Sequence, residues 1–336
     1  MNRPLIKTAA MTNNDTARPF RAAVIGCGWI GAGTARDPAT VGVQSHAEAY
    51  ASHPHVTLAG VADADLARAT NAAAQFGPCE ASDNPAAMLE TSRPEIVSIC
   101  TPDESHAAML RLALAQPATR AVLMEKPLAM NVAEARDLVD EARQRGVLLV
   151  VNYSRRFCPA FRRLRNELQS GVFGRVQQIH GYYGKGIIHN GTHWIDLLRH
   201  LTGGIEQASA LTAVKPDPWT PSAQFLCAGG VPATLQALDH TAFTLFEMDI
   251  VGTAGRVRVL DGGHRIQRYR TVKSPLYTGY VNLDGGQTEE GCLKDAMLHA
   301  VGDLISCLTG ESAQPACAGE DAVACLETAA AILPAA

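Results

Sequence analysis

The sequence contains no run of about twenty apolar residues, the length a helix needs to cross a bilayer, anywhere in its 336 positions. It also lacks any Cys-x-x-Cys pair: the nine cysteines are scattered at positions 27, 79, 100, 158, 227, 292, 307, 317 and 325. An odd, unpatterned set argues against a disulfide framework and for a reducing cytoplasm. Cys27 and Cys100, on strand-like segments, are expected to serve as small buried hydrophobes. An excess of basic charge is missing too, since 29 Lys+Arg against 33 Asp+Glu leave a net charge of −4. That balance gives no electrostatic ground for a nucleic-acid or anionic-membrane partner. Residues 1–20 lack the apolar core of a signal peptide and read as a flexible leader. No internal repeat and no low-complexity block is present.

What is there fits an ordinary globular protein, with 47% hydrophobic and 18% charged residues. The length suits two domains, since single domains settle near ~100–200 residues. From Arg21 to Val151, short apolar runs alternate with helical stretches, the pattern of a parallel sheet wound with crossover helices. Strands are expected at Ala22–Gly26, Val56–Ala62, Ile96–Cys100, Ala121–Glu125 and Val147–Val151. Helices are expected at Asp65–Phe76, His106–Gln116 and Asn131–Arg145, the last with Asn131 and Glu134 placed as a capping box and Gly146 as its stop. Beyond Val151 the texture changes. A helix is expected over Pro159–Ser170, a strand over Arg175–His180 and a helix over His193–Leu201. A Gly/Pro-broken, strand-rich region follows over 207–280, and helices return at Gly291–Leu308 and Gly319–Leu333. The fold class is therefore α/β: a doubly wound parallel sheet over 21–151, then an α+β domain with a large mixed or antiparallel sheet over 152–336.

Gly26-Cys27-Gly28-Trp29-Ile30-Gly31 directly follows the first strand. A lone G-x-G-x-x-G is weak, but between a strand and a helix it marks a Rossmann dinucleotide site. Gly26 permits the turn, Gly28 lets the backbone approach a pyrophosphate, and Gly31 lets helix and strand pack closely. Asp63 closes the second strand, where a carboxylate accepts hydrogen bonds from ribose hydroxyls and repels a 2′-phosphate. The cofactor expected is NAD in preference to NADP. Asp63 also suits a helix cap before Asp65. From Gly31 to Asp63 the spacing is 63 − 31 = 32 positions, against about 20 in the standard unit, and the excess falls in an insertion around residues 33–44, read as a surface loop or a flap.

Further motifs follow in order: Thr101-Pro102 and His106, then Glu125-Lys126-Pro127, then Asn152 and Arg155-Arg156-Phe157, and finally Thr192-His193-Trp194-Ile195-Asp196-Leu197-Leu198. Over roughly 21–336 this order resembles the Gfo/Idh/MocA family, the group of glucose–fructose oxidoreductase and inositol dehydrogenase. The resemblance implies that Lys126 lies beside the nicotinamide and holds the reacting oxygen. It places Thr101 and Pro102 at the nicotinamide ribose, with His106, Glu125 and Asn152 as further cofactor contacts. It makes His193 the base that takes the hydroxyl proton. Taken alone, His193, on a helix with Ile195, Leu198 and Leu201, equally suits a satisfied core histidine. Many dehydrogenases of this family carry an aspartate four residues earlier, where this chain has His189. That residue either shares the acid–base work or recognises substrate. Arg156, Tyr183 and Asn190 are candidate substrate contacts. His189 and His193 also fit a metal-binding pair at i, i+4, but Asn190 and Gly191 argue against a regular helix there and no third ligand is evident. No metal is expected.

The expected activity is hydride transfer between the nicotinamide and a secondary alcohol of a sugar, polyol or sugar derivative. Two alternatives stand beside it: an NAD-retaining lyase or glycosidase with transient internal redox, and a non-catalytic nucleotide or sugar sensor. The resemblance also implies a homodimer or homotetramer built through the open face of the second sheet.

Overall fold

The computed structural model describes residues 18–33, 42–213 and 219–333. Most of the expected leader and most of the 33–44 insertion lie outside them. The chain divides into two compact units, one of Met1–Phe157 with Lys294–Val323 and one of Cys158–Leu293 with Ala324–Ala336. The division falls six residues past the boundary read from sequence (157 − 151). A C-terminal segment also returns to the first unit, which a linear reading of texture does not reveal.

The first unit is a sheet of six parallel strands in the order β3-β2-β1-β4-β5-β6. They are β1 (Phe20–Ile25), β2 (Val56–Ala62), β3 (Glu80–Ser82), β4 (Ile96–Ile99), β5 (Ala121–Met124) and β6 (Leu148–Val151). Every residue of β4 and β5 is buried. Burial of each Val, Ile or Leu side chain there contributes about 1.5–3 kcal/mol, which explains why these runs carry no alternation. The helices are α1 (Trp29–Ala32, a single turn), α2 (His46–Ser52), α3 (Leu66–Phe76), α4 (Pro85–Ser92), α5 (His106–Leu114) and α6 (Val132–Gln144), joined by the returning α9 (Ala296–Leu308). Helix α9 packs on α2 and β5. Its approach is fixed where Asp295 Oδ1 accepts from the Val43 amide at 2.8 Å. The expected capping box is half realised: Asn131 Oδ1 accepts from the Glu134 amide at 2.9 Å, while the Glu134 carboxylate turns to Arg111 at 3.4 Å. The strand β3 and the helix α4 were not anticipated.

The second unit holds a nine-stranded mixed sheet in the order β14-β13-β12-β11-β7-β10-β9-β8, with β15 beside β13. Its strands are β7 (Val176–Tyr183), β8 (Ile205–Ala213), β9 (Pro221–Cys227), β10 (Val231–Ala237), β11 (Glu247–Gly252), β12 (Gly255–Leu260), β13 (Arg265–Lys273), β14 (Val281–Leu283) and β15 (Gln287–Glu290). Among its described residues only β7 and β10 pair in parallel. Helices α7 (Pro159–Gln169) and α8 (Thr192–Thr202) pack together. α10 (Gly319–Ala331) ends the described chain apart from its last turn. In α8, Trp194, Ile195, Leu197 and Leu198 are fully buried. The Trp194 ring lies flat enough on β7 that a Cβ at Gly181 would stand 2.1 Å from its Nε1. That nitrogen donates to the Glu247 carbonyl at 3.1 Å. A side chain at position 181 therefore overpacks this contact, and Gly181→Ala is expected to destabilise the protein by about 1–3 kcal/mol, read as a lower urea midpoint at unchanged slope.

Candidate active site

The parallel strands of the first unit all end on one edge, where the glycine turn, Asp63, Thr101-Pro102 and Glu125-Lys126 sit. Strand order reverses direction between β1 and β4, the switch point at which ligands of open α/β sheets bind. Gly26, with φ +96°, turns the chain off β1, and a Cβ on it would lie 2.5 Å from the Cys100 carbonyl oxygen. A Cβ on Gly31 would lie 1.8 Å from the Gly26 carbonyl oxygen. Neither position admits a side chain. At Gly28, by contrast, a Cβ would meet nothing within 4 Å. That open cradle fits a dinucleotide pyrophosphate approaching the backbone. Trp29 is 48% exposed beside it, and Ile30 is half-buried. The helix that follows is a single turn, closed by Gly33 in the left-handed region.

Asp63 clasps this turn from β2. Its Oδ2 accepts from the Cys27 amide at 2.7 Å and its Oδ1 from the Asp65 amide at 2.9 Å. A carboxylate has about four lone-pair positions, so capacity remains for ribose hydroxyls. The cap of α3 is Asp65 itself, accepting from Ala67 at 3.0 Å.

At the end of β5, Glu125 and Lys126 leave the sheet. Burial alone would raise the Glu125 carboxyl, but hydrogen bonds from His46 and Asn152 and the charge of Lys126 outweigh it, and its pKa is held below the ordinary value. His46 Nε2 lies 3.0 Å from Glu125 Oε1, and Asn152 Nδ2 donates to the same oxygen at 2.6 Å. Lys126 is half-buried. Burial lowers its pKa, against the opposing pull of the Glu125 and Asp103 carboxylates. Ser105 Oγ donates to Thr101 Oγ1 at 2.8 Å, and Pro102 is exposed at the end of β4. His106 is fully buried, with Nδ1 2.6 Å from the Pro127 carbonyl and Nε2 2.9 Å from the Thr101 carbonyl. It ties the two strand ends together with both ring nitrogens engaged.

Sequence reasoning missed the support beneath Glu125. His46 and Ser98 are both fully buried, with Nδ1 2.7 Å from Oγ, and Tyr50 Oη lies 2.7 Å from the same Oγ. The one available signal was the spacing of His46 and Tyr50 at i, i+4, which puts both on one face of α2.

In the second unit, Gly186–Gly191 forms a π-helical turn that runs straight into α8. Asn190 and Gly191 argued against a regular helix here, and the segment is instead a π-helical turn with one extra residue, a form common at functional sites. Gly191 is required there, because a Cβ would meet Ile187 Cδ1 at 2.4 Å and the Tyr183 ring at 2.9 Å. His189 is exposed, and Asn190 Nδ2 donates to the Gly184 carbonyl at 2.9 Å. His193 is half-buried while its helix neighbours are in the core. Two expected substrate contacts face inward instead. Tyr183 is fully buried, donating to the Pro221 carbonyl at 2.7 Å. In the first unit, Arg156 is 7% exposed and pairs with Asp321 at 3.2 Å. Among the described residues no group of three or more His, Cys, Asp or Glu is arranged to hold a metal.

Residues 20–153 match the model of an oxidoreductase family with an NAD-binding Rossmann fold. D-glucoside 3-dehydrogenase of Escherichia coli (strain K12) is 32% identical over 161 residues, covering 48% of this chain and 42% of that protein. The chain thus spans about two fifths of the length of the first curated relatives it matches. Across nearly the whole chain the fold is that of solved oxidoreductases. One, from Agrobacterium radiobacter in complex with NAD+, L-tartaric acid and magnesium, has a TM-score of 0.72 at 17% identity, covering 93% of this chain and 95% of that one. A mutant 3-ketoreductase from Actinomadura kijaniata, in complex with TDP-benzene and NADP, has a TM-score of 0.72 at 20% identity, covering 94% and 97%. Residues 20–153 thus carry the NAD-binding Rossmann domain of the Gfo/Idh/MocA oxidoreductase family.

Proposed function

We propose that the chain oxidises a secondary alcohol of a sugar, polyol or sugar derivative with NAD. A half-buried lysine carries this reading: Lys126 stands at the carboxyl end of β5, beside an ionised Glu125 and on the same sheet edge as the glycine turn. The sugar class is supported by the Escherichia coli relative, a D-glucoside 3-dehydrogenase. Bound NAD supplies the hydride acceptor at the nicotinamide. Lys126 holds the substrate oxygen and stabilises its alkoxide character as hydride leaves the carbon with its electron pair. His193 takes the hydroxyl proton, and the C–O bond becomes C=O. Thr101, Pro102 and Asn152 line the cofactor side, and His189 and Asn190 recognise substrate hydroxyls. Asp63 favours NAD over NADP by its negative charge. The enzyme works in the cytoplasm as a homodimer or homotetramer. The outward side of the second sheet, where Arg256 pairs with Asp249 and Arg258 with Glu247, suits contact with a second copy.

Purified protein with NAD and a panel of sugars, inositols and sugar acids is expected to form NADH with one substrate class. Lys126→Met is expected to lower turnover about 10²–10³-fold with NAD affinity changed by no more than about threefold. Unchanged turnover would remove Lys126 from the chemistry. Product without net NADH would favour the internal-redox lyase, and silence with NAD bound would favour the sensor.

Asp63→Asn keeps an oxygen for the Cys27 amide but loses the charge. It is expected to shift the NAD-to-NADP preference about tenfold toward NADP, since one removed repulsion of this kind is worth roughly 1.4 kcal/mol. An unchanged ratio of kcat/KM values would assign discrimination elsewhere.

Lys126 must be protonated to hold the oxygen, so activity falls as pH rises through its pKa. Because burial lowers that pKa, the alkaline limb of kcat/KM is expected below the ~10.4 of an exposed lysine. Glu125→Gln removes a negative charge that supports the ammonium, so the limb moves to lower pH. A limb that stays in place belongs to another group.

A further inference from the structure

Beneath Lys126 runs a chain of side chains to which the proposed chemistry assigns no part. It passes from Tyr50 Oη to Ser98 Oγ at 2.7 Å, from Ser98 Oγ to His46 Nδ1 at 2.7 Å, and from His46 Nε2 to Glu125 Oε1 at 3.0 Å. Tyr50, Ser98 and His46 are each 0% exposed. An ionised carboxylate can only accept, so the proton between His46 and Glu125 is on Nε2. With Nδ1 as acceptor, every hydroxyl in the chain then donates once and in one direction, from Tyr50 through Ser98 and His46 to Glu125. His46 and Asn152 both meet Oε1. Oε2 takes no hydrogen bond among the described residues. Lys126 and Cys100 act electrostatically on Glu125, and Asp103 acts on Lys126. Helix α9, packed on α2 and β5, contributes the uncharged Met297 Sδ, 3.2 Å from Asn152 Nδ2.

We propose that His46 is a positioning residue: clamped by Ser98 and Tyr50, its Nε2–H anchors one oxygen of Glu125 and keeps the carboxylate charged and turned for Lys126. A histidine that merely satisfies its neighbours in the core would leave the ionisation of Glu125 unchanged when replaced. The donor to a buried carboxylate would not, because loss of a charge-assisted hydrogen bond raises the pKa of its acceptor. The inference rests on the assignment of Lys126 to the reacting oxygen.

The measurement is ¹³C NMR titration of the Glu125 carboxyl in glutamate-labelled protein, assigned with Glu125→Gln, for the wild type, His46→Leu and His46→Gln. His46→Leu is expected to move the titration upward by about one pH unit; near neutral pH the carboxylate stays ionised, so a fall in kcat of about tenfold reads its lost orientation toward Lys126, with NAD affinity within about threefold. His46→Gln, whose side-chain amide still donates, is expected to restore both. A Glu125 titration left in place by His46→Leu overturns the proposal. Should that variant not fold, Ser98→Ala releases the far side of the imidazole, and it too must move the titration upward; no movement overturns the proposal equally. A wild type that oxidises no alcohol sinks the dehydrogenase reading alone, because the titration still decides what His46 does to Glu125.

Discussion

Burying the Glu125 carboxylate costs free energy that only directed donors and a nearby cation recover, and these come from three separate parts of the chain. His46 is carried by α2, Asn152 follows β6, and Lys126 is the next residue along. The donors cannot be met unless β5 and β6 pair in register and α2 lies against them. One ionised group therefore ties the middle of the sheet, a short helix and the site together. The same low-polarity setting acts with opposite sign on the neighbouring ammonium, which burial destabilises. The two charges support each other at a strand end where water alone would leave each indifferent to the other.

The glycine turn follows a harder rule, steric rather than electrostatic. At Gly31 and Gly26 the backbone of one segment occupies the volume a side chain would need, so β1, the turn and the end of β4 form one close-packed crossing. Gly28 differs from both because its missing side chain leaves room. The motif assigns Gly31 to packing and Gly28 to access, and the space around the two glycines has that same difference.

Much of the fold was legible, for physical reasons that name themselves. Val56–Ala62 was found to the residue because a parallel strand covered on both faces reads as a near-continuous apolar run, broken here only by the exposed Thr57 and by Gly60. β3 escaped because Glu80, Ala81 and Ser82 form an edge of three residues with half-exposed side chains, which carries neither periodicity nor hydrophobic weight. Lys126 and the glycines were legible because their motifs are contiguous. His46 was not, since its partner lies 79 positions away and nothing in a single sequence links the two. Tyr183 and Arg156 show the reverse failure. Arg156 lay in a motif and Tyr183 just before the His189–His193 segment, but their polar ends meet Asp321 and the Pro221 carbonyl inside the protein. Asn190 and Gly191 signalled a departure from a regular helix but not its π-helical form, because the need for Gly191 to clear the Tyr183 ring is a tertiary contact.

The double grip of Asp63 on Cys27 and Asp65 has an evolutionary side. The group that would sort one coenzyme from the other is also a rivet in the loop that receives it. A lineage changing its coenzyme cannot treat that position as an independent dial. Replacements that discard the acceptor loosen the phosphate turn at the same stroke, so neutral drift toward the other coenzyme is confined to side chains that keep an oxygen within reach of the Cys27 amide.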